Sequence, residues 1–304
     1  MVAILGPTSA GKSELGERLA QDFGGEIVNA DSMQVYKHFD IGTAKPTRES
    51  QTRIRHHLID IIDPSDSFDV ARFKDLADEA IRDIRSRGMT PIVVGGSGLY
   101  LRVLFHGIFP IPSDEKVKAD LRERFLKDPD ELYEELRRVD PLYASRISHR
   151  DRVRVVRALE VSYLSGRTMS QWEEEHSFRE ERYETYRIGL TREREELYQR
   201  INGRVETMLA AGWVDEVRGL LAAGNDPSCK PFSSIGYKEI LLYLNGSIGY
   251  ADMVTSIKQQ TRRYAKRQLT WFSKDHKDPV SWFHYPEDRN DIWGQVDRFL
   301  LTTN

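Results

Sequence analysis

The sequence predicts an α/β protein in which a parallel sheet is flanked by helices and interrupted by a helical insertion domain. Three observations support this prediction. Short apolar runs alternate with helical patterns along the first third of the 304-residue chain. A glycine-rich loop joins the first apolar run to the first helical pattern. A charged stretch without strand patterns comes next, and a further apolar run then returns the chain to the sheet.

The first element is the apolar run Val2-Ala3-Ile4-Leu5, which is typical of a buried strand. The segment after it, Gly6-Pro7-Thr8-Ser9-Ala10-Gly11-Lys12-Ser13, matches G-x-x-x-x-G-K-[ST], the phosphate-binding P-loop. A helical pattern begins at Glu14. Strand, glycine loop and helix in this order predict a P-loop NTPase-like sheet, with all eight loop residues around a diphosphate.

The chemistry of such a loop is specific. Its backbone N–H groups and the N-terminus of the helix favour bound anions. Lys12 is expected to reach the outer phosphate, and the Ser13 hydroxyl is expected to bind Mg²⁺. The motif indicates a bound diphosphate or triphosphate, but it leaves the reaction open.

The next elements continue the alternation. Strands are expected at Glu26–Asn29, Leu58–Ile62 and Pro91–Val94, and a helix at Val70–Arg87 that ends beside Gly88. In a parallel sheet, ligands bind at the carboxyl ends of the strands. The segments Gly6–Ser13, Asp31–Tyr36 and Gly95–Tyr100 should therefore meet there.

Two of these segments carry candidate catalytic groups. Asp31 follows a predicted strand and could order a magnesium-bound water or accept a proton; alternatively, it is a turn or helix cap. Ser97 lies among three glycines that let the backbone approach a ligand closely; alternatively, the loop is a flexible turn. No carboxylate ends the strand Pro91–Val94, which disfavours a motor or transport ATPase.

The proline-rich segment Pro110–Asp114 marks a domain boundary. We expect a helical insertion at 113–183, with Ser113 capping its first helix, and a P-loop core at 1–112 and 184–304. In the second part of the core, the sequence predicts a strand at Thr185–Leu190 and helices at Glu195–Leu209 and Val254–Phe272. Arg200 and Arg204 are four residues apart and share one helix face. In the second helix, Arg262 and Lys266, and Arg263 and Arg267, are paired at the same spacing. Either helix face could simply be solvated.

Composition narrows the functional classes. With 39% hydrophobic and 31% charged residues, the chain is typical of a globular protein. It has no run of about 18 apolar residues and no leader, so we expect a cytoplasmic monomer without membrane contact. Cys229 is the only cysteine, which excludes an internal disulfide and a cysteine-built zinc site. Adjacent His56 and His57 point to opposite faces of a strand, so no metal site is predicted there.

The net charge of −3 argues weakly against nucleic-acid binding, yet the basic residues cluster. One cluster runs from Arg146 to Arg157 and another from Lys258 to Arg267. Local patches of this kind can bind phosphate on a net acidic protein.

An ordered set of motifs then resembles one family. The motifs are GPTSAGKS, NADSMQVY, VVGGSGLYL, RVRVVRALEV, SGRTMS, RINGRVETMLAAGWVDEV, IGYKE and TRRYAKRQLTWF. Together they are similar to bacterial tRNA dimethylallyltransferases, the IPP transferase family, from residue 2 to about Phe272. The resemblance implies Mg²⁺-dependent transfer of a dimethylallyl group from its diphosphate to the N6 amine of the adenosine 3′-adjacent to the tRNA anticodon. A P-loop that holds this diphosphate, rather than ATP, explains the missing Walker-B carboxylate.

The resemblance also implies roles for residues. Asp31 accepts the proton of the adenine amine, Lys12 stabilises the leaving diphosphate, and Arg204 approaches the reacting groups. Ser97 stands where the family usually has threonine, and the insertion grips the anticodon stem. The tRNA contacts implied are Asp31, Ser32, Met33, Gln34, Ser97, Lys118, Val153, Arg154, Val155, Val156 and Arg157.

Three other functions remain open at this point. A small-molecule or nucleotide kinase is disfavoured by the two basic clusters and by the lack of a clear lid arginine pattern. An RNA-binding NTP switch is disfavoured by Asp31 and Ser97 beside the P-loop. An enzyme that prenylates free AMP or ADP is disfavoured by the long basic insertion, which suggests a macromolecular acceptor.

Overall fold

A computed structural model describes residues 1–176, 180–274 and 279–303. The chain divides into two compact units. The first, the core unit, comprises Met1–Phe105 and Arg182–Asn304, and the second, the insertion unit, comprises His106–Glu181. The sequence placed the insertion at 113–183, so the observed unit begins and ends somewhat earlier than expected.

The core unit contains a six-stranded sheet among its described residues. The strands are β1 Val2–Leu5, β2 Gly25–Ala30, β3 His56–His57, β4 Thr90–Gly95, β5 Tyr186–Leu190 and β6 Ser281–Phe283. Their order is β3-β2-β4-β1-β5-β6, and every neighbouring pair is parallel. All residues of β1 and β2 are buried, as expected of a parallel sheet covered on both faces. The predicted α/β fold is confirmed.

Helices cover the sheet and build the insertion. They are α1 Lys12–Asp22, α2 Arg48–Arg53, α3 Val70–Ser86, α4 Gly98–His106, α5 Glu115–Lys127, α6 Pro129–Val139, α7 Pro141–Ala144, α8 Arg152–Ser165, α9 Met169–His176, α10 Arg194–Ala210, α11 Trp213–Ala222, α12 Tyr237–Leu244, α13 Tyr250–Lys274 and α14 Arg289–Thr303. A short 3₁₀ helix spans Lys230–Ser233. Alternate residues of β1 enter opposite core layers: Val2 and Ile4 one, Ala3 and Leu5 the other.

The predicted strand Leu58–Ile62 is wrong. The strand that pairs with β2 is His56–His57, and the chain then leaves the sheet. Leu58 and Asp60 have φ values of 63° and 55°, in the left-handed region that interrupts an extended strand. A single bridge between Tyr36 and Ile62 is what remains of pairing there. The segment after Phe272, for which the sequence predicted no element, supplies the edge strand β6.

The insertion unit contains only helices among its described residues, α5 to α9. Ser113 does not cap the first of them. The cap is Asp114, whose Oδ1 accepts the N–H groups of Lys116 and Val117. The Ser113 hydroxyl instead donates to the fully buried Glu160, which also accepts the Asp114 N–H. The cap is therefore one residue later than expected, because the serine is used to satisfy a buried carboxylate.

An ion pair between the buried Glu26 and the exposed Arg87, at the amino end of β2, makes a stability prediction possible. Glu26, 6% exposed, accepts from Arg87 at 2.5 and 2.7 Å and contacts His57 at 2.7 Å. The Arg87 hydrogen bonds are the main cause that lowers the pKa of Glu26 to about 2. Because the folded-state pKa lies below the unfolded value, this stabilisation is present above about pH 4.5 and lost as the pH falls towards 2.

Glu26→Gln should therefore lower the free energy of unfolding at neutral pH by about 1.5 kcal/mol, since it removes the buried charge that accepts from Arg87, while the exposed Arg87 keeps its pairing with Asp83. It should also flatten the loss of stability on acidification. Urea denaturation across a pH series measures both effects, with the exposed Glu79→Gln on α3 as the control. Equal stability of Glu26→Gln and wild type would contradict a stabilising role for the pair.

Candidate active site

The P-loop adopts a form that only glycine permits at its first position. Gly6 has φ of +137°, and a Cβ there would lie 2.5 Å from the Leu190 carbonyl oxygen of β5. Helix α1 begins at Lys12, directly after Gly11. The N–H groups of its first turn have no carbonyl partner within the helix, so they are available to an anion.

The structure shows which P-loop residues have groups available to bind a diphosphate and which residues only shape the loop. Pro7 has no N–H, Ala10 donates to the Pro7 carbonyl at 3.4 Å, and Thr8 donates to Gln268 Oε1 at 2.8 Å. These three residues shape the loop. The groups left for a diphosphate lie at Gly11, Lys12 and Ser13, together with the Ser9 hydroxyl, which is buried without a hydrogen-bond partner in the described part of the chain. An unpartnered hydroxyl beside free amides fits a polyphosphate ligand.

The three predicted segments meet around one cavity of about 720 Å³ in the core unit. Its lining includes the P-loop, Asp31–Gln34, Gly95 and Gly96, and residues of α10 and α13. Gly95 and Gly96 of the glycine loop line the cavity, whereas the half-buried Ser97 is not among its lining residues. The Ser97 side chain lies next to Tyr264, which itself lines the cavity. Ser97 therefore reaches the cavity through a tyrosine, which the sequence did not indicate.

Four cationic and two acidic side chains line this cavity: Lys12, Arg200, Arg204, Arg267, Glu14 and Asp31. Burial, the largest cause, and the neighbouring Arg204 lower the pKa of Lys12 to about 7, against the opposing effect of Asp31. Burial also lowers the pKa of Arg204, against the effect of Asp31. Lys12 Nζ donates to the Pro7 carbonyl at 2.7 Å. The predicted residues Lys12, Asp31 and Arg204 thus lie together, and their excess positive charge suits an anionic ligand.

Asp31 fits both of the roles that the sequence left open, a turn cap and a carboxylate at the ligand site. Its Oδ1 accepts the N–H groups of Met33 and Gln34 at 2.8 and 3.4 Å, so it does cap its own turn. Oδ2 accepts no hydrogen bond from the described residues, and the side chain lines the cavity. The cap thus fixes the orientation of a carboxylate whose second oxygen is open to a ligand.

The sequence missed the residues that hold these loops. Arg200 Nε donates to the Ser9 carbonyl at 3.1 Å, and the buried Arg192 donates to the Ala10 and Tyr285 carbonyls. The helical spacing of Arg200 and Arg204 indicated a shared face, whereas nothing in the sequence marks Arg192. These guanidinium groups occupy the loop carbonyls and leave its N–H groups to a ligand.

A second support fixes the loop that follows Asp31. Glu216 of α11 accepts the N–H groups of Asp40 and Ile41 at 3.0 and 2.7 Å. The Gln34 amide donates to the carbonyls of Thr43 and Ala44 at 3.0 and 3.3 Å. The predicted tRNA-contacting segment 31–34, including Ser32, is therefore anchored on both sides.

In the insertion unit, the implied tRNA contacts differ in exposure. Val155 and Val156 are buried, 0% and 5% exposed, because they face the core of this unit; their side chains are not a binding surface, which corrects the expectation. Val153 is 74% exposed, and Arg154 is exposed beside Asp151 at 3.5 Å. Arg157 donates to Glu160 at 2.6 Å and to the Pro112 carbonyl. Lys118 pairs with Glu115 at 2.7 Å.

Two places have groups that suit a cation. The ligand atoms of Glu26, His57 and Asp83 lie within 4.8 Å of one another, but Arg87 already binds both carboxylates. That cluster lies at the amino end of β2, whereas the cavity is at its carboxyl end. Ser13 is exposed at the cavity and has a hydroxyl, the hard oxygen donor that Mg²⁺ takes together with substrate phosphates. Ser13 therefore fits the predicted magnesium site better.

Within the described ranges, no helix is both long and apolar enough to cross a membrane.

Comparison with known proteins agrees with the motifs. The family model "IPP transferase" matches residues 34–275. A tRNA dimethylallyltransferase of Geobacter sulfurreducens is 47% identical over 96% of this chain and 94% of its own length. One of Pelobacter propionicus is 49% identical over 94% of this chain and 93% of its own.

Solved structures agree as well. A full-length tRNA isopentenylpyrophosphate transferase of Bacillus halodurans superposes with a TM-score of 0.73 at 38% identity, covering 99% of this chain and 96% of that one. A eukaryotic dimethylallyltransferase acting on tRNA gives a TM-score of 0.79 at 33% identity, covering 93% of this chain and 73% of that one. The chain described here belongs to the IPP transferase family.

Proposed function

We propose that this protein transfers the dimethylallyl group of dimethylallyl diphosphate to the N6 amine of the adenosine 3′-adjacent to the anticodon of tRNA. The observation that carries the proposal is the single cavity in which Lys12 and Arg204 face Asp31 beside the P-loop. The relatives named tRNA dimethylallyltransferase support the same reaction.

The cations and amides act on the leaving group. As the allylic C–O bond breaks, negative charge grows on the diphosphate, and the N–H groups of Gly11 to Ser13 lie where they can receive it. A bound diphosphate favours the protonated form of Lys12, whose pKa is otherwise lowered to about 7. Arg204 adds a second positive charge on the same side. Mg²⁺, when held by the Ser13 hydroxyl and phosphate oxygens, supplies further positive charge to the diphosphate.

Asp31 acts on the acceptor. The adenine amine is a weak nucleophile because its lone pair is delocalised into the ring. As the N6–carbon bond forms, the amine loses a proton, and the open Oδ2 of Asp31 is placed to accept it. The adenine must leave the anticodon-loop stack to reach the cavity, which costs a few kcal/mol and least for an unpaired base.

A direct assay tests the proposal. The purified protein is incubated with labelled dimethylallyl diphosphate and Mg²⁺, together with bulk tRNA in one sample and free AMP in another. Label is expected in tRNA alone, at an adenosine next to the anticodon. Label in AMP would replace the proposal by a free-nucleotide prenyltransferase, and phosphate transfer from ATP without prenylation would favour the kinase.

The insertion unit gives a prediction about tRNA affinity. Arg154→Ala should weaken tRNA binding and reduce the slope of log affinity against log salt by about 0.7 to 0.9, the effect of losing one phosphate contact. Arg154 is chosen over Arg157, since removing Arg157 would leave Glu160 buried without its cation. Binding is measured over a salt series, with the exposed Arg137→Ala as the control. Superimposable lines for Arg154→Ala and wild type would mean that this helix face is merely solvated.

A further inference from the structure

One buried amide joins the two glycine loops of the active site. Gln268 lies on α13 and is 7% exposed. Its Oε1 accepts the Thr8 N–H of the P-loop at 2.8 Å, and its Nε2 donates to the Gly96 carbonyl of the second loop at 2.9 Å. The two loops follow β1 and β4, which are adjacent parallel strands. The side chain therefore bridges them at the edge of the cavity.

The fit around this amide is close. A Cβ on Gly96 would lie 2.2 Å from Gln268 Nε2, so only glycine at that position leaves room for the bridge. Tyr264 lies four residues earlier on α13, on the same helix face. It lies next to Ser97, the neighbour of Gly96. Helix α13 thus contacts the second glycine loop at two consecutive residues and the P-loop at one.

We propose that Gln268 is a positioning residue that sets the distance between the diphosphate-binding loop and the Gly96–Ser97 loop. By holding Thr8, it fixes the start of the turn from which the N–H groups of Gly11 to Ser13 meet the diphosphate. By holding Gly96, it fixes the backbone next to Ser97, whose side chain lies beside Tyr264 at the cavity. The inference adds a residue to the proposed prenyl transfer and rests on it only for the activity readout.

The chemistry of the bridge allows a sharp test, because it needs one acceptor and one donor on the same side chain. An ionised carboxylate in Gln268→Glu can accept from Thr8 but not donate to Gly96, and it adds negative charge next to the diphosphate. A protonated glutamic acid can do both, through its C=O and its O–H. Gln268→Met fills a similar volume, has no donor and only a weak sulfur acceptor, and does not titrate.

The experiment measures two quantities between about pH 5.5 and 8.5, the interval in which a buried glutamate titrates. The first is the affinity for inorganic pyrophosphate with Mg²⁺ by calorimetry, and the second is kcat/KM for prenyl transfer to tRNA. For each variant, both the pyrophosphate affinity and kcat/KM are divided by the wild-type value at the same pH. That ratio removes the pH dependence that variant and wild type share, which comes from the other groups that face the cavity: Lys12, Glu14, Asp31, Arg200, Arg204, Tyr264 and Arg267. Gln259→Glu, the same change at an exposed position of α13, is the control.

At high pH, we expect Gln268→Glu and Gln268→Met to lose at least about tenfold in both quantities, as when a buried partner is left unsatisfied. As the pH falls, the ratio for Gln268→Glu should return towards one, while that for Gln268→Met stays low. A merely structural role would not give this recovery. If Gln268→Met fails to fold, the test still works with Gln268→Glu alone, because its values at high and low pH come from the same polypeptide.

Two results would overturn the inference: ratios within about threefold of one for Gln268→Glu at high pH, or a loss that does not diminish on acidification. Failure of the proposed function is distinguishable, since it would abolish prenyl transfer in wild type and leave the pyrophosphate measurement intact.

Discussion

Lys12→Ala is expected to lower the rate of prenyl transfer by about 10² to 10³, the usual cost of removing one group that stabilises a developing anion. The charge on the diphosphate is larger in the transition state than in the ground state, so the effect should fall on the chemical step more than on substrate affinity. Single-turnover transfer with saturating tRNA and dimethylallyl diphosphate isolates that step. The fold should persist, because the Lys12 amine donates only to a carbonyl of its own loop.

The surface variant Lys37→Ala serves as the control, since the Lys37 ammonium pairs with the exposed Asp63. Arg204 remains in the Lys12→Ala cavity and keeps part of the positive charge there. A Lys12→Ala rate within about threefold of wild type, about 0.7 kcal/mol, would therefore mean that Arg204 and the loop amides stabilise the leaving diphosphate without Lys12.

The parts of the fold that the sequence predicted well are those set by local patterns. The P-loop, the alternation of strands and helices, and the meeting of three segments at one sheet edge follow from residues close in sequence. The strand at Leu58–Ile62 was wrong because two residues there adopt left-handed backbone, for which an apolar run carries no signal. The edge strand β6 has only three residues, and its Trp282 is 39% exposed, so it lacks the buried run that marks an inner strand.

The sequence predicted the charged residues of the site but not the residues that hold its loops in place. Lys12, Asp31 and Arg204 belong to motifs, whereas Gln268 and Glu216 act through backbone groups more than 170 residues away, and no spacing rule connects such partners. The resemblance implied tRNA contact for every residue of the segment Val153–Arg157. Only the helix geometry separates Val155 and Val156, which face the core, from Val153 and Arg154, which face solvent.

Asp31→Asn is expected to slow prenyl transfer by about 10² to 10⁴, the usual contribution of a positioned general base, while tRNA affinity stays near that of wild type. The structure makes this substitution informative because Asp31 has two separable contributions. Asparagine Oδ1 can still accept the N–H groups of Met33 and Gln34, so the turn is kept. Its amide in place of Oδ2 can no longer accept the proton of the adenine amine.

Asp31→Ala separates the two contributions, since it removes the turn cap together with the base. If Asp31 is a base, Asp31→Asn should lose nearly as much rate as Asp31→Ala but keep tRNA binding, which Asp31→Ala should weaken as segment 31–34 loosens. If Asp31 is only a cap, Asp31→Asn should turn over at nearly the wild-type rate, and Asp31→Ala alone should be impaired. Single-turnover rates and tRNA affinities of the two variants distinguish these cases, because the cap needs one acceptor oxygen and the chemistry needs the other.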